Sequence, residues 1–304
     1  MPPPDLSRAA FLRLAAGAVA ARTAGAVAAE PMLKRTIPST GRTLPVVGCG
    51  TWRTFDVAPG PGREPLAQVL RTLFAAGGSV IDSSPMYGRS EEAVGDLLTG
   101  IDGHARAFVA TKVWTTGREA GIDQMRRSLT LLQRERIELM QVHNLLDWRT
   151  HLATLRDWKA EGRIGHLGVT HYTESAHDAL EAVMRAEALD FVQINYALDD
   201  RAVERRILPL AAERGIAVLV NQPFGGGGLL RGLRDRPLPG VAAELGCTSW
   251  AQLLLKFVLG HPAVTCVIPG TSRPAHMADN AAAGRGPLPD AAMRRRILAA
   301  WEAG

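Results

Sequence analysis

A carboxylate, a phenol, an ammonium and an imidazole recur along this sequence, each at or just beyond the end of a short apolar run. Asp82 ends "SVID", Tyr87 follows five residues later in "SSPMYGRSEE", Lys112 closes "AFVATK" and His143 closes "IELMQVH". A free phenol, with a pKa of about 10, is a poor proton donor near neutrality. A lysine ammonium beside it favours the phenolate and lowers that pKa, while an aspartate paired with the lysine fixes the cation in place. An imidazole can donate or share a hydrogen bond with a carbonyl oxygen. Such a set protonates an oxygen while something else attacks the adjoining carbon. No side chain here is a hydride source, so a reductive step requires a cofactor. Singly, the residues have plainer readings. Asp82 can cap a helix, Lys112 can be its buried ion-pair partner, Tyr87 can be a loop aromatic and His143 a hydrogen-bonded structural histidine. Their joint placement at successive run ends favours chemistry.

The elements that must position them are legible as a repeat. Eight short apolar runs recur: "PVVGCGTW", "SVIDSS", "AFVATKVW", "IELMQVHN", "HLGVTHY", "DFVQINY", "IAVLVNQP" and "VTCVIPG". Runs this short, bounded by polar or glycine-rich segments, suit strands buried on both faces. Helix-period segments lie between most of them. In "EPLAQVLRTLFAAGG", for example, Leu66, Val69, Leu70 and Leu73 share a side and Gly77-Gly78 supplies the stop. Strand–helix alternation implies parallel strands, and eight units over about 270 residues predict a closed (β/α)8 TIM barrel. "MLKRTIPSTGRTLP" predicts an N-terminal β-hairpin, turning at Ser39-Thr40-Gly41, that would plug the barrel floor. "PDAAMRRRILAAWEAG" predicts an extra C-terminal helix, and "PFGGGGLLRGLRDRPLPG" a long loop after the seventh strand. Residues 32–304 are thus expected to form a single barrel domain. In such a barrel the C-terminal strand ends converge on one face, bringing Asp82, Lys112, His143, Thr170, Gln193 and Asn221 together.

Composition narrows the function classes. The 304-residue chain is 46% hydrophobic, enough for a sizeable core, with charges of mixed sign. Its net charge of +5 is modest, and its arginine pairs fall in helical segments, which argues against nucleic-acid binding. Cys49, Cys247 and Cys266 lie far apart in apolar stretches and read as free buried thiols, with no metal-ligand spacing. No run of apolar residues is long enough to span a bilayer. Residues 1–31 read as a leader or export signal: "SRAAFLR" resembles a twin-arginine signal with Ala9 in place of the second arginine, and Val27-Ala28-Ala29 suits cleavage. A periplasmic and a cytoplasmic location both stay open.

From Leu33 to Ala283 the sequence resembles the aldo-keto reductase superfamily. "GCGTW", "IDSSPMYGRSEEAVG", "ATKVW", "QVHN", "GVTHY", "VQINY" and "IPGTSRPAHMADN" match family blocks in order. The resemblance implies NAD(P)H-dependent reduction of an aldehyde or ketone, or the reverse oxidation. Tyr87 would be the general acid, Lys112 and Asp82 would tune it, and His143 would orient the substrate carbonyl. The cofactor, NADP(H) with NAD possible, would lie extended across the barrel mouth. Thr170, His171 and Gln193 would bind the nicotinamide carboxamide, with Thr51, Trp52, Asp82, Asn221 and Pro223 nearby. Gly225 would let a loop pass close to the pyrophosphate; the Gly225–Gly228 run opens no βαβ helix at the spacing a Rossmann turn needs. Gly270, Thr271, Ser272, Arg273, His276, Asp279 and Asn280 would hold the adenosine half, with Ser272 and Arg273 candidates for a 2′-phosphate.

Departures from the family pattern matter too. Gly270 and His276 stand where many relatives carry lysine and arginine, which leaves Arg273 as the main support for NADP. Asn221 replaces a common aromatic and His171 a common asparagine. Trp52 and Trp114 would line a pocket for apolar or aromatic carbonyl compounds, which Asn144 would make more open and polar. The partners expected are a small-molecule carbonyl substrate, no nucleic acid and no membrane span, with the chain a monomer or weak oligomer. A different class, a nicotinamide-binding regulatory or redox-sensor subunit, would bind cofactor with little turnover.

Overall fold

In the computed structural model, which describes residues 30–303, the period of two along each strand decides what faces the barrel axis. Successive side chains of a strand point to opposite faces, so one set fills the interior and the other meets the helices. Val80, Phe108, Ala110, Leu139, Phe191, Ala217, Leu219, Cys266 and Ile268 form the inner cluster. Their chain neighbours Ile81, Val109, Met140, Val192, Val218 and Val267 belong to the larger outer cluster beneath the helices. Counting on by two from the inner residues reaches Asp82, Lys112, His143, Gln193 and Asn221. The same alternation that buries the apolar residues therefore delivers the polar ones inward at the strand ends.

The strands are β1 Lys34–Thr36, β2 Thr43–Pro45, β3 Cys49–Gly50, β4 Val80–Asp82, β5 Phe108–Val113, β6 Ile137–His143, β7 Ile164–Thr170, β8 Phe191–Asn195, β9 Ala217–Asn221 and β10 Cys266–Val267. β3 to β10 pair in chain order, all parallel. Parallel bridges from Val47 to Val267 and from Gly50 to Gly270 bring the last strand back to the first. All eight expected runs contribute a strand, and the barrel is the expected (β/α)8 fold. At the seam a Cβ on Gly50 would lie 2.7 Å from the Ile268 carbonyl oxygen, so only glycine lets the two strands meet.

The expected hairpin is β1 paired antiparallel with β2. Ile37 and Leu44 from this hairpin join the inner cluster, closing the floor with side chains. The helix Glu64–Ala75 buries Leu66, Val69, Leu70 and Leu73, and Gly77 beyond it takes a left-handed φ of 94°, the usual helix stop. The C-terminal helix Ala291–Glu302 starts where Asp290 accepts the Met293 N–H at 2.8 Å. All three cysteines are free and buried. Of the residues read as a leader, 1–31, residues 1–29 lie outside the described part of the chain.

Candidate active site

Lys112, on the inner face of β5, is held by two strong acceptors. Its Nζ donates to Asp82 Oδ2 and to the Ser83 carbonyl, each at 2.7 Å. Asp82 Oδ2 also accepts from Gln193 Nε2 at 3.0 Å, and Oδ1 from Gln141 Nε2 at 3.4 Å. Asp82 and Lys112 are both buried, so their attraction is little screened by water. The lysine Nζ lies 5.1 Å from the centre of the Tyr87 ring, which meets the His143 ring edge-on at 5.9 Å. Four residues from three successive strands and the loop after β4 thus form one cluster.

The charge states follow from burial and neighbours. Burial works against the Lys112 ammonium, but Asp82 and Tyr87 together outweigh it and raise its pKa. Burial pushes the Tyr87 phenol above its ordinary value; Lys112 pulls it back only partly. This reverses the expectation from sequence that the lysine makes the phenol unusually acidic. The cation is where it was expected, but desolvation of the phenolate is the larger effect. Burial, then Lys112 and His171, push the His143 imidazole down to about 2, so the ring is neutral. Its Nδ1 lies 3.1 Å from Ser84 Oγ.

Above this cluster a cleft of about 970 Å³ crosses the C-terminal strand ends. Thr51, Trp52, Asp82, Tyr87, His143, Asn144, Thr170, Gln193, Asn221, Pro223, Gly270 and Thr271 line it. Arg273, His276, Asp279 and Asn280 line it as well. Trp114, expected to line the pocket, is not among the residues that line the cleft; it is 40% exposed, its backbone pinned by Gln124 and its ring 6.4 Å from that of His143.

Three expected cofactor residues do not line the cleft. The His171 ring turns back on its own loop, where Nδ1 accepts the Tyr172 N–H at 3.0 Å, and the stacked Tyr172 lines the cleft in its place. Gly225 packs against Asp199, leaving Gly226 and Gly227, both left-handed, on the cleft wall. Ser272 is exposed outside it. Asp279 reaches the cleft, but its oxygens accept from Ser249 Oγ at 2.7 Å and Gln252 Nε2 at 2.6 Å, which ties two helices together.

Sequence reasoning passed over several residues. Arg53, whose guanidinium lies 4.2 Å from the Trp52 ring centre, and Arg234 add positive charge to the cleft wall. Met86 and Trp250 add apolar lining. Glu91, buried behind β5, accepts from Thr111 Oγ1 at 2.6 Å and Ser128 Oγ at 3.1 Å, anchoring the strand that carries Lys112.

The site can take a nicotinamide cofactor. Gln193 Oε1 and Asn221 Oδ1 are buried acceptors without a partner among the described residues, and both residues line the cleft. A buried amide oxygen left unmatched is costly, and a ligand bearing N–H donors relieves it. Cationic Arg53, Arg234 and Arg273 suit its phosphates. Among the described residues no group of His, Cys, Asp and Glu side chains is placed to hold a metal ion. No described helix is long and apolar enough to cross a membrane.

The family model for the aldo/keto reductase family matches residues 46–297. The chain belongs to this family. It is 29% identical over 247 residues to methylglyoxal reductase YeaE of Escherichia coli, covering 79% of this chain and 85% of that protein. It is 28% identical to the NADH-specific methylglyoxal reductase of the same organism, covering 69% of this chain and 73% of that protein. An aldo-keto reductase from Klebsiella pneumoniae, solved in complex with NADPH, superposes with a TM-score of 0.74 at 25% identity. That match covers 89% of this aldo/keto reductase and 96% of the solved chain.

Proposed function

We propose that the chain reduces aldehydes or ketones to alcohols with NAD(P)H, using Tyr87 as general acid. The observation that carries this reading is the Lys112 ammonium, fixed by Asp82 at 2.7 Å and set against the Tyr87 ring at the foot of the cleft. When bound, the dihydronicotinamide supplies the hydride that no side chain can give. Thr170, Gln193 and Asn221 would hold its carboxamide end, and Arg273 with Asn280 its adenosine end. Such contacts fix one ring face toward the substrate carbon.

The carbonyl oxygen would sit between the Tyr87 hydroxyl and the neutral His143 ring. As negative charge develops on that oxygen, Tyr87 transfers its proton to it, yielding the alcohol. The raised phenol pKa does not oppose this step, because an alkoxide is a far stronger base than a phenolate. Lys112 stabilises the phenolate left behind until solvent reprotonates it, and Asp82 keeps Lys112 charged and in place. His143, being neutral, positions the oxygen and does not compete as the acid.

Trp52 and Met86, which line the cleft, and Trp114, whose ring lies 6.4 Å from that of His143, are each at least 39% exposed and favour a substrate with an apolar or aromatic body. The two methylglyoxal reductases among the relatives make 2-oxoaldehydes a second class to try. Purified protein mixed with NADPH or NADH and a panel of both classes should oxidise the cofactor, followed by its absorbance. Tight cofactor binding with no oxidation across the panel would refute the reading and favour a nicotinamide sensor.

A further inference from the structure

Ser84 lies two residues beyond the end of β4, fully buried, and touches both groups that would face the substrate oxygen. Its carbonyl accepts the Tyr87 N–H at 3.0 Å, and its Oγ is 3.1 Å from His143 Nδ1. We propose that Ser84 is a positioning residue that fixes the His143 imidazole as its Nε2–H tautomer, making His143 a second hydrogen-bond donor to the substrate oxygen beside Tyr87. The proposal rests on the reductase reading for the identity of that oxygen, but the tautomer assignment does not depend on it.

The assignment follows from counting protons. A serine hydroxyl has one proton to donate and lone pairs to accept with. Ser84 Oγ already accepts the Met86 N–H at 3.4 Å. Among the described residues its one side-chain partner is His143 Nδ1, so that nitrogen is the acceptor available to its proton. Were Nδ1 protonated instead, Ser84 Oγ would face two donors while its own proton had no acceptor. In a site this buried that arrangement is costly. With Ser84 donating, every group in the chain of bonds is matched. A neutral ring with Nδ1 as acceptor carries its proton on Nε2. Depressed basicity from burial keeps the ring in that single-proton form. Since His143 lines the cleft and Nδ1 is taken, Nε2 is the ring nitrogen left for a ligand.

The consequence is a pair of donors preset for one oxygen. Tyr87 O–H and His143 Nε2–H would stabilise charge as it develops there, at no cost in reorganisation. The opposite tautomer would present a lone pair to the carbonyl oxygen and repel it. One serine, through its backbone and its side chain, thus sets the relation between the acid and the imidazole.

Nitrogen-15 NMR of the imidazole rings in the full chain tests this, with the His143 signals assigned by their loss in His143→Gln. The unaltered protein is expected to show Nδ1 unprotonated and Nε2 protonated. Ser84→Ala should mix the tautomers and lower kcat by roughly 3- to 10-fold, the worth of one hydrogen bond, with cofactor Kd unchanged. Ser84→Thr, which keeps the hydroxyl, should restore both the tautomer and the rate. An Nδ1–H ring in the unaltered protein overturns the proposal without any variant. So does a Ser84→Ala protein that keeps a pure Nε2–H ring. If the unaltered ring is Nε2–H and no carbonyl compound is reduced, the failure belongs to the reductase reading alone.

Discussion

At the floor of the barrel, His166 has both ring nitrogens engaged, Nδ1 by the Glu138 carbonyl at 2.9 Å and Nε2 by Thr40 Oγ1 at 3.4 Å. Its ring packs against Phe108 and Phe191. At the mouth, His143 has Nδ1 engaged by Ser84 while its ring lines the open cleft. Burial depresses the basicity of both histidines, so perturbed titration does not tell them apart. What separates them is how completely the protein itself supplies their partners. The floor is closed by Ile37 and Leu44 of the hairpin, whereas the mouth keeps unmatched oxygens on Gln193, Asn144 and Asn221 and a rim of exposed Trp52, Met86 and Tyr172. A polar group fully matched by protein is architecture; one left partly unmatched beside a cleft is set for a ligand.

That contrast can be broken at either end. At the mouth, Lys112→Met strands the buried Asp82 carboxylate, and removing one member of a buried pair costs about 3–5 kcal/mol. Denaturant titration should register that loss, and turnover should vanish with it. At the floor, Ile37→Ala should cost about 2–5 kcal/mol for the cavity it leaves, with kcat and KM unchanged in the folded protein. A change in KM there would mean that floor and mouth are coupled. Elsewhere in the cleft lining, Arg273→Ala should weaken NADPH binding by roughly 10-fold, as loss of a charge-assisted contact does, and NADH binding far less. Equal weakening would remove Arg273 from the 2′-phosphate.

The smallest effect concerns pH. A histidine of ordinary basicity would put an inflection in kcat between about pH 5 and 8. His143, pushed down to about 2, stays neutral there, so its protonation should leave no trace in that range. The Tyr87 pKa is raised, so the phenol remains protonated and reduction should hold its rate as pH climbs to about 10. Oxidation of the alcohol needs the phenolate and should quicken over the same climb. Reduction that falls away through neutral pH would contradict the raised phenol pKa.

Much of this was legible in the sequence because strands alternate. Once "SVID", "AFVATK" and "IELMQVH" are strands, Asp82, Lys112 and His143 must point inward with the residues two before them. The seven family blocks added the cofactor half. What stayed hidden lies where periodicity gives out. In the loop after β7 nothing in the sequence decides whether His171 or Tyr172 faces the cleft, and the backbone N–H that captures His171 Nδ1 settles it. Asp279 finds Ser249 and Gln252, 30 and 27 residues away along the chain, contacts that only tertiary packing creates. The direction of the Tyr87 shift depends on how deeply the ring is buried, which charge spacing does not reveal. Ser84 carried no signal beyond its place between Asp82 and Tyr87.

The central claim is that the Tyr87 hydroxyl, set against Lys112, gives its proton to a carbonyl oxygen during reduction. The most direct measurement compares NAD(P)H oxidation by the unaltered chain and by Tyr87→Phe, with cofactor binding checked by fluorescence titration in both. The account predicts that Tyr87→Phe binds cofactor as before and loses about 10²- to 10⁴-fold in kcat, the usual contribution of a general acid. A Tyr87→Phe protein that reduces the same carbonyl compound at the unaltered rate would contradict it.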